Sequence, residues 1–218
     1  MIVLIITAVR VKSMDSHRIS GRILAENIAG PGMMRLVEQS MQAQAQKTSV
    51  TEIAVKEWKH PQAALTFDDG PDIRYTPLLL DGLKERNVRA SFFLLGEKVE
   101  QYPELVERMQ KEGHLVGNHT YHHVQLNKLN ETKAREEILK TNNLIYETTG
   151  VYPLYLRPPF GAWKKNLELC VEMLPVFWTI DTLDWKVQNT EKIVRTVQEQ
   201  IEDGAIILMH DEYDTSVE

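Results

Sequence analysis

The chain has 218 residues, with 25 Lys plus Arg against 31 Asp plus Glu, a formal charge of −6 that speaks against binding a polyanion by neutralising its phosphates. A 43% apolar content, 26% charged residues and no low-complexity tract exclude disordered and collagen-like architectures and leave enough chain for a large core. A single cysteine, Cys170, excludes an intramolecular disulfide and a thiolate zinc site, so any metal must be held by histidines and carboxylates.

In chain order, residues 1–60 read as an accessory segment or linker. The apolar run Met1 to Val9 has nine residues, about half the roughly 20 that cross a bilayer. It lacks a basic preceding region and a small-residue cleavage site, so it reads as a buried strand, with a remnant export signal or membrane anchor as the alternative. Residues 10–60 hold helical stretches such as Met34 to Ala45 but no repeat and no convergent polar groups. From Ala63 onward, short β-rich runs alternate with longer amphipathic ones, the pattern of βα units around a parallel sheet or barrel. Six strands are predicted, at Ala63–Phe67, Val88–Leu95, His114–Gly117, Leu154–Arg157, Pro175–Ile180 and Ala205–Met209. Helices are predicted at Thr76–Arg86, Pro103–Lys111, Glu131–Thr148, Lys165–Glu172 and Thr190–Glu202. In the third of these, Ala134, Ile138, Leu144 and Ile145 recur at helical spacing and predict one buried stripe, with the charges of the other face solvated.

Polar residues cluster at the ends of the predicted strands. Phe67 runs into Asp68, Asp69, Gly70 and Pro71; Gly117 into Asn118 and His119; Arg157 into Pro158 and Pro159; Ile180 into Asp181; Met209 into His210 and Asp211. In a (β/α) barrel the C-terminal strand ends converge on one rim, where active sites are built, so five distant segments are expected to meet there. His119 and His123 stand four apart, and on a helical turn such a pair shares a face and can reach one cation. His17, His60 and His114 lack such company and read as structural. Asp68 and Asp69 are adjacent carboxylates after an apolar strand; a divalent metal relieves their repulsion, one serving as ligand and the other accepting a proton. The competing reading is an Asp-Gly turn with both carboxylates solvated.

Five ordered motifs carry a resemblance. Thr66-Phe67-Asp68-Asp69-Gly70-Pro71, His119-Thr120-x-x-His123, Arg157-Pro158-Pro159-Phe160-Gly161, Asp181-Thr182-Leu183-Asp184-Trp185 and Leu208-Met209-His210 resemble the motifs of the polysaccharide deacetylases that share the NodB homology domain, carbohydrate esterase family 4. The resemblance implies an α/β fold, a distorted (β/α) barrel of fewer than eight units at residues 61–218, and metal-dependent hydrolysis of N-acetyl, or sometimes O-acetyl, groups on a glycan. It implies Asp69, His119 and His123 as metal ligands, Asp68 as general base and His210 as general acid. Arg157 would pair with the base and Asp184 would hold and charge His210. Trp185 and Leu208 would close an apolar slot around the acetyl methyl, and the backbone N–H of Phe160, where many members have Tyr, would stabilise the oxyanion. Arg157 also has an ordinary reading as a structural ion pair, Trp185 and Leu208 as core, and Pro158-Pro159 as residues that stiffen a turn. Trp163, just beyond the third motif, reads either as a sugar platform or as packing.

The chain ends eight residues after His210, whereas the family usually continues through one more helix and strand. A missing last unit predicts an exposed edge on the strand carrying His210. The leading function is deacetylation of an N-acetylglucosamine polymer, peptidoglycan ahead of chitin and O-acetyl xylan, with zinc foremost and cobalt, manganese or nickel compatible with the donors. The resemblance places it in the bacterial envelope or outside the cell. The alternatives are an amidase acting on a small non-sugar compound and a noncatalytic glycan- or metal-binding module. An iron oxygenase shares the ligand count but leaves Asp68 and His210 without a task.

Overall fold

The computed structural model describes residues 61–163, 171 and 173–217. The accessory segment at 1–60, with Met1–Val9, Met34–Ala45, His17 and His60, and nearly all of the helix predicted at Lys165–Glu172, with Cys170, lie outside them.

Seven parallel strands form one sheet: β1 (Ala63–Asp68), β2 (Ser91–Leu94), β3 (Leu115–Asn118), β4 (Tyr155–Leu156), β5 (Leu174–Pro175), β6 (Ile180–Asp181) and β7 (Ala205–His210), in spatial order β5-β4-β3-β2-β1-β7-β6. The helices are α1 (Tyr75–Glu85), α2 (Gly96–Gln101), α3 (Pro103–Lys111), α4 (Glu131–Thr149), α5 (Asp184–Val187), α6 (Thr190–Gln200) and α7 (Asp214–Val217). Side chains on both faces of β1 and β2 are largely buried, as expected of a parallel sheet covered on both sides. Phe67, Leu80, Phe92, Leu94, Val106, Met109 and Ile207 form the main core. A smaller cluster gathers Leu126, Ala134, Ile138 and Leu156, and Trp163, partly buried, packs against it.

The sheet cannot be flat. Its two outermost strands, β5 and β6, follow one another in the chain, with only Val176 to Thr179 between them. Five Cα steps reach about 18 Å, whereas the edges of a flat seven-stranded sheet lie about 29 Å apart. The chain therefore curls the sheet into a distorted barrel, and the joining segment is pinned on both sides. Val176 N–H donates to the Leu156 carbonyl (2.8 Å) and Thr179 N–H to that of Ile206 (2.9 Å). The single strand predicted at Pro175–Ile180 is thus two short ones, because its middle residues bridge the gap rather than extend a ladder. The strand bearing His210 is not an edge either: β7 pairs with β1 over its whole length and with β6 on the other side.

Two helices start and stop where side-chain chemistry dictates. Asn130 and Asn189 cap α4 and α6 by accepting from Lys133 N–H and Lys192 N–H, each at 2.9 Å. Gly150, in the left-handed region at φ 71°, ends α4.

Candidate active site

The C-terminal ends of β1, β3, β4, β6 and β7 meet as the strand-end pattern predicts. Asp68 is the last residue of β1, and its register partner on β7 is His210. Thr66 and Leu208 form the pair two residues earlier, so alternation puts all four on one face. Immediately after Asp68 the backbone turns left-handed at Asp69 (φ 70°), which breaks the alternation and lets two consecutive carboxylates serve one site.

Asp69 Oδ1 lies 3.4 Å from both His119 Nε2 and His123 Nε2, and Asp69 Oδ2 lies 3.9 Å from His210 Nε2. Against the burial that raises it, the close approach of His119 and the charges of His119, His123 and His210 hold the Asp69 carboxyl well below the usual range. His119 is buried and its Nδ1 lies 2.6 Å from the Arg157 carbonyl. A carbonyl can only accept, so Nδ1 carries hydrogen and, in the neutral imidazole, Nε2 presents a lone pair toward Asp69. Asp69 Oδ1 is buried and has no well-formed partner among the described residues. Two acceptors facing each other at this distance require a cation between them, a proton or a metal ion. One donor atom each from Asp69, His119 and His123 lie within 4.8 Å of one another, which fits a divalent ion held by nitrogen and oxygen.

The two imidazoles do not share a helical face. Residues 119–125 form a loop in which Thr120 (φ 68°) and His123 (φ 55°) are left-handed, and that reversal returns His123 to Asp69. The His123 ring stands 5.1 Å from that of His119 and 4.6 Å from that of Phe160, and burial lowers its pKa.

Arg157 is fully buried, its Nη1 donating to Asp68 Oδ1 at 2.7 Å and to Thr66 Oγ1 at 2.8 Å. The pairing is through one nitrogen shared with a hydroxyl, not a two-pronged fork, and Nη2 has no hydrogen-bond partner among the described residues. The guanidinium lies on the ring of Phe93, 4.2 Å from its centroid. At the rim, Asp184 Oδ1 is 2.8 Å from His210 Nδ1, while Asp184 Oδ2 accepts from His210 N–H and Ser216 Oγ, both at 2.7 Å. Burial opposes the charge on His210, but the bond and charge of Asp184 prevail and raise its pKa; the same pair lowers that of Asp184 despite burial.

Phe160 sits in the short turn Pro159–Gly161 with φ 60° and an exposed ring. Leu208 is buried in the same strand as His210, and Trp185, half exposed, donates its backbone N–H to Asp184 Oδ1 (2.9 Å). His114 keeps its structural reading: it is buried and its Nδ1 accepts from Ala90 N–H at 3.1 Å.

Several participants have no role marked in the sequence. Thr66, two residues before Asp68, is reachable by strand alternation. Ser216 is not, since nothing in its neighbourhood marks it. Asp211, beside His210, is fully buried; burial pushes its carboxyl up to about 7 despite the Thr76 hydroxyl that donates to it. The charges of α4 are not all solvated, because Glu137 turns inward onto the His119–His123 loop.

Residues 56–176 match the family described as polysaccharide deacetylase. The chain is 44% identical over 152 residues to a peptidoglycan-N-acetylglucosamine deacetylase of Bacillus cereus, covering 68% of this chain and 55% of that protein. It is 37% identical over 153 residues to a chitooligosaccharide deacetylase of Bradyrhizobium sp., covering 68% of this chain and 70% of the relative. The fold superposes on the structure of peptidoglycan deacetylase PdaC from Bacillus subtilis with a TM-score of 0.71 at 41% identity, over 73% of this chain and 79% of that one. The chain thus spans about half the length of the Bacillus cereus relative. With ordered motifs, a curled parallel sheet and this level of identity in agreement, the chain belongs to the polysaccharide deacetylase family that shares the NodB homology domain.

Proposed function

We propose that residues 61–218 form a catalytic domain that hydrolyses acetyl groups, chiefly N-acetyl, from an N-acetylglucosamine polymer, with peptidoglycan the foremost substrate and chitin-like chains next. The observation that carries this reading is the meeting of Asp69, His119 and His123 with Asp68 on one side and His210 on the other. Peptidoglycan places the enzyme in the bacterial envelope or outside the cell, and residues 1–60 then serve as an accessory segment.

Asp69, His119 and His123 would hold a divalent cation, zinc foremost. When bound, that ion supplies Lewis acidity, acidifying a water and polarising the acetyl carbonyl. Asp68 takes the proton from the attacking water, and its ion pair with Arg157 keeps the carboxylate oriented toward that task. The water oxygen bonds to the acetyl carbon, and the Phe160 backbone N–H stabilises the resulting oxyanion. The carbon–nitrogen bond then breaks as His210, charged and aimed by Asp184, gives its proton to the departing amine, which cannot leave as an anion. Acetate and a free amino sugar result. Leu208 and Trp185 line the slot for the acetyl methyl.

Acetate release from acetylated chito-oligomers should vanish with chelator and return on adding zinc. Asp68→Asn should lower the rate about 10²- to 10⁴-fold while zinc still binds. Full activity in Asp68→Asn overturns its assignment as base. Saturable sugar binding without acetate release, in metal-supplemented buffer, overturns the hydrolase reading.

A further inference from the structure

We infer that Glu137 is the positioning residue that holds the His119–His123 loop in its ligating shape; the inference rests on the metal site proposed above. Thr120 and His123 both occupy the left-handed region, which is disfavoured for residues bearing a Cβ, and one of them is β-branched. A loop so bent persists only where its surroundings over-determine it.

Neighbouring elements hold much of its backbone. The carbonyls of Thr120 and Tyr121 accept from Gly96 N–H (2.9 Å) and Glu97 N–H (3.3 Å), at the start of α2. Thr120 N–H donates to Asn118 Oδ1 (2.7 Å). The next two N–H groups, of Tyr121 and His122, converge on Glu137 Oε2 at 3.0 and 2.9 Å, and His122 Nδ1 lies 2.7 Å from Glu137 Oε1. One carboxylate therefore takes two of the three main-chain donors between the ligands and also occupies the middle imidazole. That is why, of three histidines in five residues, His122 faces away from Asp69.

Glu137 can do this because its helix is fixed. Ile138 beside it and Ala134 one turn before are buried in the second cluster, and Asn118 Nδ2 donates to the Ile138 carbonyl (2.8 Å) and to Asn142 Oδ1 (2.7 Å). One helix thus anchors the residue before the first ligand and the two before the second.

The test is zinc affinity of the full chain, measured by competition with a chromophoric chelator, together with amide hydrogen exchange at Tyr121 and His122 without metal. Glu137→Ala should bind zinc about ten- to a hundredfold more weakly and lose protection at those two amides. Glu137→Asp, which keeps the charge but shortens the reach, should follow it and stands in should the alanine variant not fold. Glu137→Gln retains an oxygen for both N–H groups and should stay within threefold of wild type. Ile145→Val, a core change on the same helix, should leave affinity unaltered and so reports the effect of lost stability alone. Wild-type affinity and protection in Glu137→Ala or Glu137→Asp overturn the inference while leaving the metal site standing, as does a loss in Ile145→Val equal to theirs. A wild-type chain that takes up no zinc overturns the metal site and this role with it.

Discussion

His210 and Asp184 illustrate how two residues acquire matched properties from mutual contact. The His210 contact holds the pKa of Asp184 below the ordinary carboxylate value despite burial, so its share of stability is present above that ordinary value and fades as pH falls. His210 has its pKa raised above 6.5, so its share is complete below that value and fades as pH rises through the folded value. The pair therefore supports the fold most in the mildly acidic window between them, and the proton that the proposed acid donates is retained to higher pH. Asp184→Asn should move the alkaline limb of kcat/KM toward lower pH and flatten the loss of stability on both sides of that window. Rate profiles and denaturant titrations across pH measure the two effects, and an unmoved alkaline limb removes His210 from the role of acid. At the same scale, Arg157 shows the limit of reasoning from residue type: the sequence marks the partner Asp68, but only the packing of Thr66 and Phe93 around the guanidinium decides that a single nitrogen makes the contact.

Among elements, α2 bears on the site although none of its side chains enters it. It begins at Gly96, where a Cβ would collide with the Thr141 hydroxyl and the Tyr121 ring. Helix propensity alone favours Ala there by up to about 1 kcal/mol, whereas overpacking costs about 1 to 3 kcal/mol, and the neighbours belong to the metal-ligand loop and to α4. Gly96→Ala should lower stability in denaturant titration and weaken zinc binding together; a stabilised variant shows that the loop yields. The sequence does not announce this element, because Leu95 begins it without a capping side chain, directly after a strand. The legible elements are those with a strong period or a clear boundary: α3 opens on Pro103, α4 lies between Asn130 and Gly150, and β1 and β7 are continuous apolar runs. The ligand set is legible because its motifs sit at strand ends. The shape of the His119–His123 loop is not, since Thr and His ordinarily avoid the left-handed backbone and only tertiary contacts with Glu137, Gly96 and Glu97 impose it. Glu137 itself is hidden for a related reason: on sequence it is one charge among many on the polar face of a helix.

For the molecule as a whole, Asp69 follows β1 and His119 and His123 follow β3, about 50 residues later in sequence, so an ion held by these three ties two separate segments of the barrel together. Free metal at 1,000 times its dissociation constant stabilises the folded state by about 4 kcal/mol, which for a domain of this size raises the melting temperature by about 8 to 16 °C. Thermal scans with zinc and with chelator should differ by such an amount in the wild-type chain and scarcely at all in Asp69→Asn. Equal melting of both wild-type samples contradicts a site closed by those three ligands. The pairing of Asp68 with His210 across β1 and β7 carries one more implication. The proposed proton acceptor and proton donor stand abreast on neighbouring ribbons, so the spacing between them is inherited from the pitch of the sheet itself and not from any loop. A single-residue slip of β7 would transpose His210 to the opposite side of the ribbon and remove the proposed acid from the site.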